Sequence, residues 1–199
     1  MRQNERGKLA PMNFESAVEK IPALALLPIE IKTVSLKKAI DSSEMTPQVW
    51  IELAEVADRL MPEVDGIVIL HGTDTMAYTA CALSFMLQGL KKPIIITGSQ
   101  LPIGVLRTDA VENIVSAFEF AALTDKNGDC LIQEVAIYFE YELLRGNRAY
   151  KRSSNEFNAF SSPNFPPLAS SGVRLSVNKE LLRRSKESYC LDTRISNNV

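Results

Sequence analysis

The sequence is poor in the residues that build metal and redox sites. Its 199 residues include one histidine, His71, and three widely spaced cysteines, Cys81, Cys130 and Cys190. No C-x-x-C or H-E-x-x-H occurs, which argues against a structural or catalytic zinc site. Three scattered cysteines fit reduced cytosolic thiols and give no basis for a disulfide framework. Charge of one sign is also lacking. The net charge of -2 offers no electrostatic case for nucleic acid or an anionic membrane surface. No apolar run approaches the roughly 20 residues that span a bilayer. The segment after Met1, "RQNERGKLAP", is polar, so no secretory apolar stretch is visible there. The sequence has no G-x-x-x-x-G-K-[ST], no G-x-G-x-x-G after a strand and no G-x-S-x-G. A P-loop, a Rossmann dinucleotide site and a nucleophile elbow are thereby set aside. Internal repeats and low-complexity tracts are absent as well. What remains, 46% hydrophobic and 23% charged, is the composition of an ordinary globular protein.

The order of patterned segments then sets the fold class. "IEIKTVSL" (29–36) is β-prone and partly alternating, which predicts a strand. "TPQVWIELAEVADRLM" (46–61) predicts a helix, with Thr46 as N-cap, Pro47 at the first helical position and apolar residues at helical spacing. "GIVIL" (66–70), "PIIIT" (93–97) and "VAIYF" (135–139) are continuous apolar runs, the pattern of strands buried on both faces. A helix follows "HGTDT" and runs to about Gln88, with Gly89 as its stop. Another follows Asp109, which with Glu112 reads as a capping pair. Alternating buried strands and helices predict an α/β fold with a largely parallel sheet and helices on both faces. In such sheets ligands bind beyond the carboxyl ends of the strands. The loops to watch are therefore "HGTDT", "GSQLPIG" and "RGNRAYK".

Each loop has a plain structural reading. Thr73, Asp74 and Thr75 can start a helix, since Thr and Asp cap helices and an early Asp suits the helix dipole. Ser99 can be a turn residue, Lys151 a surface lysine, and His71 a hydrogen-bonded structural histidine. Converging at one sheet edge, the same residues make nucleophilic chemistry possible without metal or histidine. A lysine amine held by an aspartate can take a threonine proton and activate the hydroxyl, and N–H groups at a helix start can stabilise an oxyanion. Two alternatives stay open: a non-catalytic amino-acid-binding site, and a hydrolase with His71 as base.

"ILHGTDTMAYTACALSFML", "KPIIITGSQLPIGVLRTDAVENI" and "RGNRAYKRSSNEFNAFSSPNFPPLA" resemble the bacterial-type L-asparaginases, and most of all their cytoplasmic type I branch. "DSSEMTPQVW" (41–50) is similar to that family's substrate-contact segment. The resemblance implies a flavodoxin-like α/β domain that hydrolyses the side-chain amide of L-asparagine to L-aspartate and ammonia through a threonine acyl-enzyme, with no cofactor and no metal. Thr73, Asp74 and Lys151 match the catalytic Thr–Asp–Lys set. Ser42, its neighbour Ser43, and Ser99 match substrate-binding positions, as do Thr73 and Asp74. A cytoplasmic homodimer or homotetramer is implied for the full-length form.

The sequence also departs from that pattern. The family's T-G-G-T-I motif, at the end of its first strand, occurs nowhere here and is expected immediately upstream of Met1. That motif carries the usual acyl-enzyme threonine, so its absence predicts weak or no activity. Residues 1–174 are expected to form the N-terminal α/β domain without its first strand. Residues 175–199 are expected to be an interdomain linker or the start of a truncated C-terminal domain.

Overall fold

The three aliphatic runs form the parallel part of one six-stranded sheet. The computed structural model describes residues 2–3, 9–10, 21–36 and 39–196. Strand β1 (Ile67–Leu70) pairs in parallel with β2 (Ile94–Thr97), and β2 in parallel with β3 (Val135–Phe139). The sheet then continues through antiparallel neighbours, β4 (Glu142–Arg145), β5 (Ala169–Ser171) and β6 (Leu175–Val177). The strand order follows the chain, β6-β5-β4-β3-β2-β1, and β1, β2, β3 and β5 run in one direction.

Helices cover both faces, as expected. Helix α1 (Pro47–Leu60) and α2 (Met76–Met86) bury Leu53, Ala57, Met76 and Leu83 against Ile94, Ile96 and Ile137. On the other face α3 (Ala110–Ala121) buries Ala117 and Phe120 against Ile95, Ala136 and Tyr138. The alternation of Ile94 and Ile96 with Ile95 between the two cores is the period-2 consequence of the pleat.

Several local expectations take a different form. The segment 29–36 joins no ladder among the described residues. β2 and β3 are buried throughout, whereas β1 is the sheet's edge and only half-buried. Thr46 makes no side-chain cap bond, so Pro47 at the helix start is the local signal that holds. Asp109 does not cap α3 with its side chain; its carboxylate bonds backbone N–H groups of the preceding loop and the Asn113 side chain one turn into the helix. Leu175–Val177, just past the expected boundary at residue 174, is edge strand β6. Cys190–Leu191, further on, pairs with Leu87–Gln88. Among the described residues no helix is long and apolar enough to cross a membrane.

Candidate active site

The loop after β1 and the short ladder Tyr150–Lys151/Phe160–Ser161 meet at the carboxyl end of the parallel strands. There Lys151 Nζ donates to Asp74 Oδ1 at 2.6 Å and to Thr73 Oγ1 at 2.9 Å. Thr73 Oγ1 in turn donates to Gln100 Oε1 at 3.1 Å. Gln100 is held at both ends, since its Nε2 donates to the Glu156 carbonyl. The lysine side chain is mostly buried, at 15% exposure, while Asp74 is 59% exposed. A charged pair is therefore seated at the rim, with the amine inside and the carboxylate facing solvent.

None of the three oxygen-bearing residues of "HGTDT" caps α2. Thr75, at the N-cap position, makes no cap bond and donates instead to the Ser42 carbonyl at 2.6 Å. Thr73 and Asp74 are drawn to Gln100 and Lys151. The helix-start reading is thus replaced by tertiary bonds that tie four segments together.

Glycine makes this approach possible at two positions. A Cβ on Gly72 would lie 2.4 Å from Ser42 Oγ, and one on Gly98 would lie 2.1 Å from the His71 carbonyl oxygen. Ser42 is buried at 3% exposure beneath the loop and lines the groove that runs from the site along β1, as does Ser99. Ser43 is exposed, and its hydroxyl and N–H both donate to Asp41 Oδ1. The structure thus brings Thr73, Asp74, Lys151, Ser42 and Ser99 to one end of the sheet and turns Ser43 outward.

His71 supports the loop from below. Its Nδ1–H donates to the Gly72 carbonyl at 2.6 Å, and Nε2 accepts from Thr79 Oγ1 at 2.9 Å. Thr79 itself accepts from Trp50 Nε1 at 2.9 Å. Burial holds the imidazole pKa below its ordinary value, which favours this neutral tautomer. Both ring nitrogens are occupied, so His71 is not poised as a base. Asp109 plays a similar role for the next loop. Its carboxylate accepts from the Gln100 and Leu101 N–H groups and from Asn113 Nδ2. Gln100 was visible in the sequence as a loop residue, but its bond to Thr73 spans 27 positions and leaves no local signal.

The family model described as "Asparaginase, N-terminal" matches residues 1–183. The chain belongs to the asparaginase family. This asparaginase domain is 48% identical over 136 residues to L-asparaginase 1 of Escherichia coli strain K12, covering 68% of the chain and 38% of that protein. It is 43% identical over 145 residues to the mouse protein named 60 kDa lysophospholipase, covering 73% of the chain and 25% of that protein. Among solved structures, the thermostable L-asparaginase from Thermococcus kodakarensis superposes with a TM-score of 0.84 at 30% identity. That match covers 96% of the chain and 56% of its own. The chain thus spans about a quarter to two fifths of these curated relatives. The asparaginase assignment accounts for the grouping of Thr73, Asp74 and Lys151, which the resemblance expected and which the helix-start reading did not.

Proposed function

We propose that this asparaginase domain carries the Thr–Asp–Lys part of an L-asparagine amidohydrolase site, releasing L-aspartate and ammonia without a cofactor. The observation that carries the reading is the Lys151 amine bridging Thr73 Oγ1 and Asp74. The acyl group is borne by the threonine of the family's T-G-G-T-I motif, which the resemblance implies, and Lys151, held by Asp74 and Thr73, is the base that takes that hydroxyl's proton. The hydroxyl oxygen attacks the amide carbon as its proton passes to the Lys151 amine. Collapse of the tetrahedral adduct breaks the C–N bond, and the nitrogen leaves as ammonia with the proton from Lys151. Water attacks the resulting ester, returns a proton to the threonine oxygen and frees aspartate. Ser42 and Ser99, on the groove wall beside the loop, are the substrate contacts, with Ser43 adjacent to them and Thr73 and Asp74 facing the same ligand.

Three wider features belong to the proposal. The domain expected over 1–174 takes in β6 and the segments that pack back on it as well, and the remainder of 175–199 leads out of it. The setting is the cytoplasm, in keeping with three free cysteines. The full-length form is a homodimer or homotetramer. In support, α2 is apolar along its length yet leaves Tyr78 66% and Phe85 60% exposed.

The decisive experiment joins this chain to the flanking portions of E. coli L-asparaginase 1 and measures ammonia release from asparagine. Turnover should appear and should be lost by a factor of at least about 10³ in Lys151→Met and Thr73→Ala. A folded chimera whose turnover survives Lys151→Met rules the mechanism out. Ligand binding with no turnover in the unsubstituted chimera favours the amino-acid-binding alternative instead.

A further inference from the structure

Building on the amidohydrolase reading, we propose that Trp50 and Thr79 are positioning residues for the Thr73 loop. Acting through His71, they fix which ring nitrogen carries the proton, and so they set the Gly72–Thr73 peptide from which the Thr73 hydroxyl projects.

Three hydrogen bonds in a row leave the chain of donors only one direction. The Trp50 indole is a donor and never an acceptor, and its Nε1–H meets Thr79 Oγ1 at 2.9 Å. Thr79 Oγ1 accepts there, and its own hydrogen faces His71 Nε2 at 2.9 Å. On the other side of the ring, Nδ1 lies 2.6 Å from the Gly72 carbonyl, which can only accept. A proton on Nδ1 and none on Nε2 satisfies every group. The reverse tautomer sets a bare nitrogen against the carbonyl oxygen. It also sets a second donor against Thr79, whose hydrogen then loses its partner. Thr79 is fully buried, so water cannot repair the mismatch. The partner of one ring nitrogen thereby decides the state of the other.

The tautomer reaches the site through one peptide unit. That unit is planar, so holding the Gly72 carbonyl against the imidazole turns the Thr73 N–H to the opposite side and fixes where the Thr73 side chain begins. Slippage toward Ser42 is blocked, because Ser42 Oγ lies only 2.4 Å from where a Gly72 Cβ would stand. Thr73 Oγ1 then meets Lys151 Nζ at 2.9 Å and Gln100 Oε1 at 3.1 Å. Bonds of this kind depend steeply on angle. A rotated Gly72–Thr73 peptide would misplace the hydroxyl for both partners.

Trp50 also stands at a useful point in the chain. It lies near the start of α1, just after the segment 41–46 that carries Ser42. Thr75 Oγ1 donates to the Ser42 carbonyl at 2.6 Å. The two loops assigned to the substrate are therefore tied twice, once directly and once through α1 and α2. Packing accounts for the indole ring, which lies against the core under these helices. It does not account for the N–H, since a phenyl ring would serve the core as well.

The test is NMR on the full chain, where Trp50 and His71 are the only residues of their kinds. Nitrogen spectra should show His71 as the Nδ1–H tautomer alone. Trp50→Phe keeps an aromatic ring and removes the N–H. It should bring in the Nε2–H tautomer and shift the Thr73 amide signal, whereas Thr79→Ser, which keeps the hydroxyl, should do neither. Asparagine places its NH₂ group near the position of Nδ1, and glutamine near that of Nε2. His71→Asn should therefore leave the Thr73 amide signal in place, and His71→Gln should move it. A purely structural network would not tell these two apart. No turnover is read, so failure here is distinct from failure of the amidohydrolase reading, which Lys151→Met decides. An Nε2–H tautomer in the unsubstituted chain overturns the proposal without any variant. It is overturned equally by a pure Nδ1–H tautomer that survives Trp50→Phe, by a Thr73 amide that stays put while the tautomer changes, or by equal displacement in His71→Asn and His71→Gln.

Discussion

Each oxygen-bearing side chain in "HGTDT" has an identifiable partner, and that is what separates a functional loop from a helix start. Local pattern alone proposes caps for Thr73, Asp74 and Asp109. All three instead bond to residues eight or more positions away. Capping rules describe what a side chain does when nothing better is near, so they cannot see Lys151 or Gln100. The resemblance could, because it carries positions and not propensities. Two predictions belong here. Gly98→Ala places a methyl group 2.1 Å from a backbone oxygen, which no side-chain rotation relieves. It should lower the unfolding free energy by about 2 kcal/mol or more, measurable by urea titration. His71 is the only histidine, and burial depresses its folded pKa below the model-peptide value of 6.5. The unfolded chain therefore binds a proton in a range where the folded chain does not. The stability owed to neutral His71 is complete above pH 6.5 and is lost as pH falls toward the depressed folded value. The melting temperature should decline across that window, and His71→Gln should flatten this part of the decline. An identical slope in the variant would show that other groups set the acid limit.

At the scale of elements, β2 and β3 were legible because a strand buried on both faces has only one way to look: "PIIIT" and "VAIYF" are apolar throughout. β5 and β6 were not. "ASS" and "LSV" are short and serine-bearing, with no propensity that outweighs their loop-like surroundings. They form strands because β4 presents an edge and because a buried ion pair pins the chain beside it. Arg145 Nε donates to Glu134 Oε2 at 2.5 Å, and Arg145 Nη2 reaches the Leu181 carbonyl at 2.6 Å. The Arg183 N–H donates back to Glu134 Oε1, and the guanidinium stacks on Phe165. The side chains are only 12% and 7% exposed. Removing one partner strands a charge out of water, whereas removing both does not. Glu134→Ala should therefore cost about 3–5 kcal/mol and loosen residues 181–183. The double variant Glu134→Leu with Arg145→Met should recover most of that loss in denaturant unfolding. If the two substitutions simply added, the pair would not be the pin.

For the whole molecule, the open groove ends beside the candidate active site, and this bears on what the chain can do alone. The groove that flanks β1 runs on to Ser42, Gly72 and Gln100, and Asp74 is mostly exposed at the rim. Water therefore reaches the Lys151–Asp74 pair at the rim. Electrostatic stabilisation of a developing oxyanion weakens as the local dielectric rises. Exclusion of water is part of what a closed site contributes. The usual acyl-enzyme threonine of the family, expected on a strand ahead of Met1, is also not among these 199 residues. The chain by itself should release ammonia from asparagine at least about 10³-fold more slowly than the roughly 10 per second typical of enzymes, while circular dichroism reports a folded α/β domain. Joining the flanking portions of E. coli L-asparaginase 1 should raise the rate, and joining the same portions with their acyl-enzyme threonine replaced by alanine should raise it far less. That contrast separates the loss due to an open wall from the loss due to an absent hydroxyl. Turnover near 10 per second by the chain alone would mean that neither matters, and Thr73→Ala would then have to abolish it.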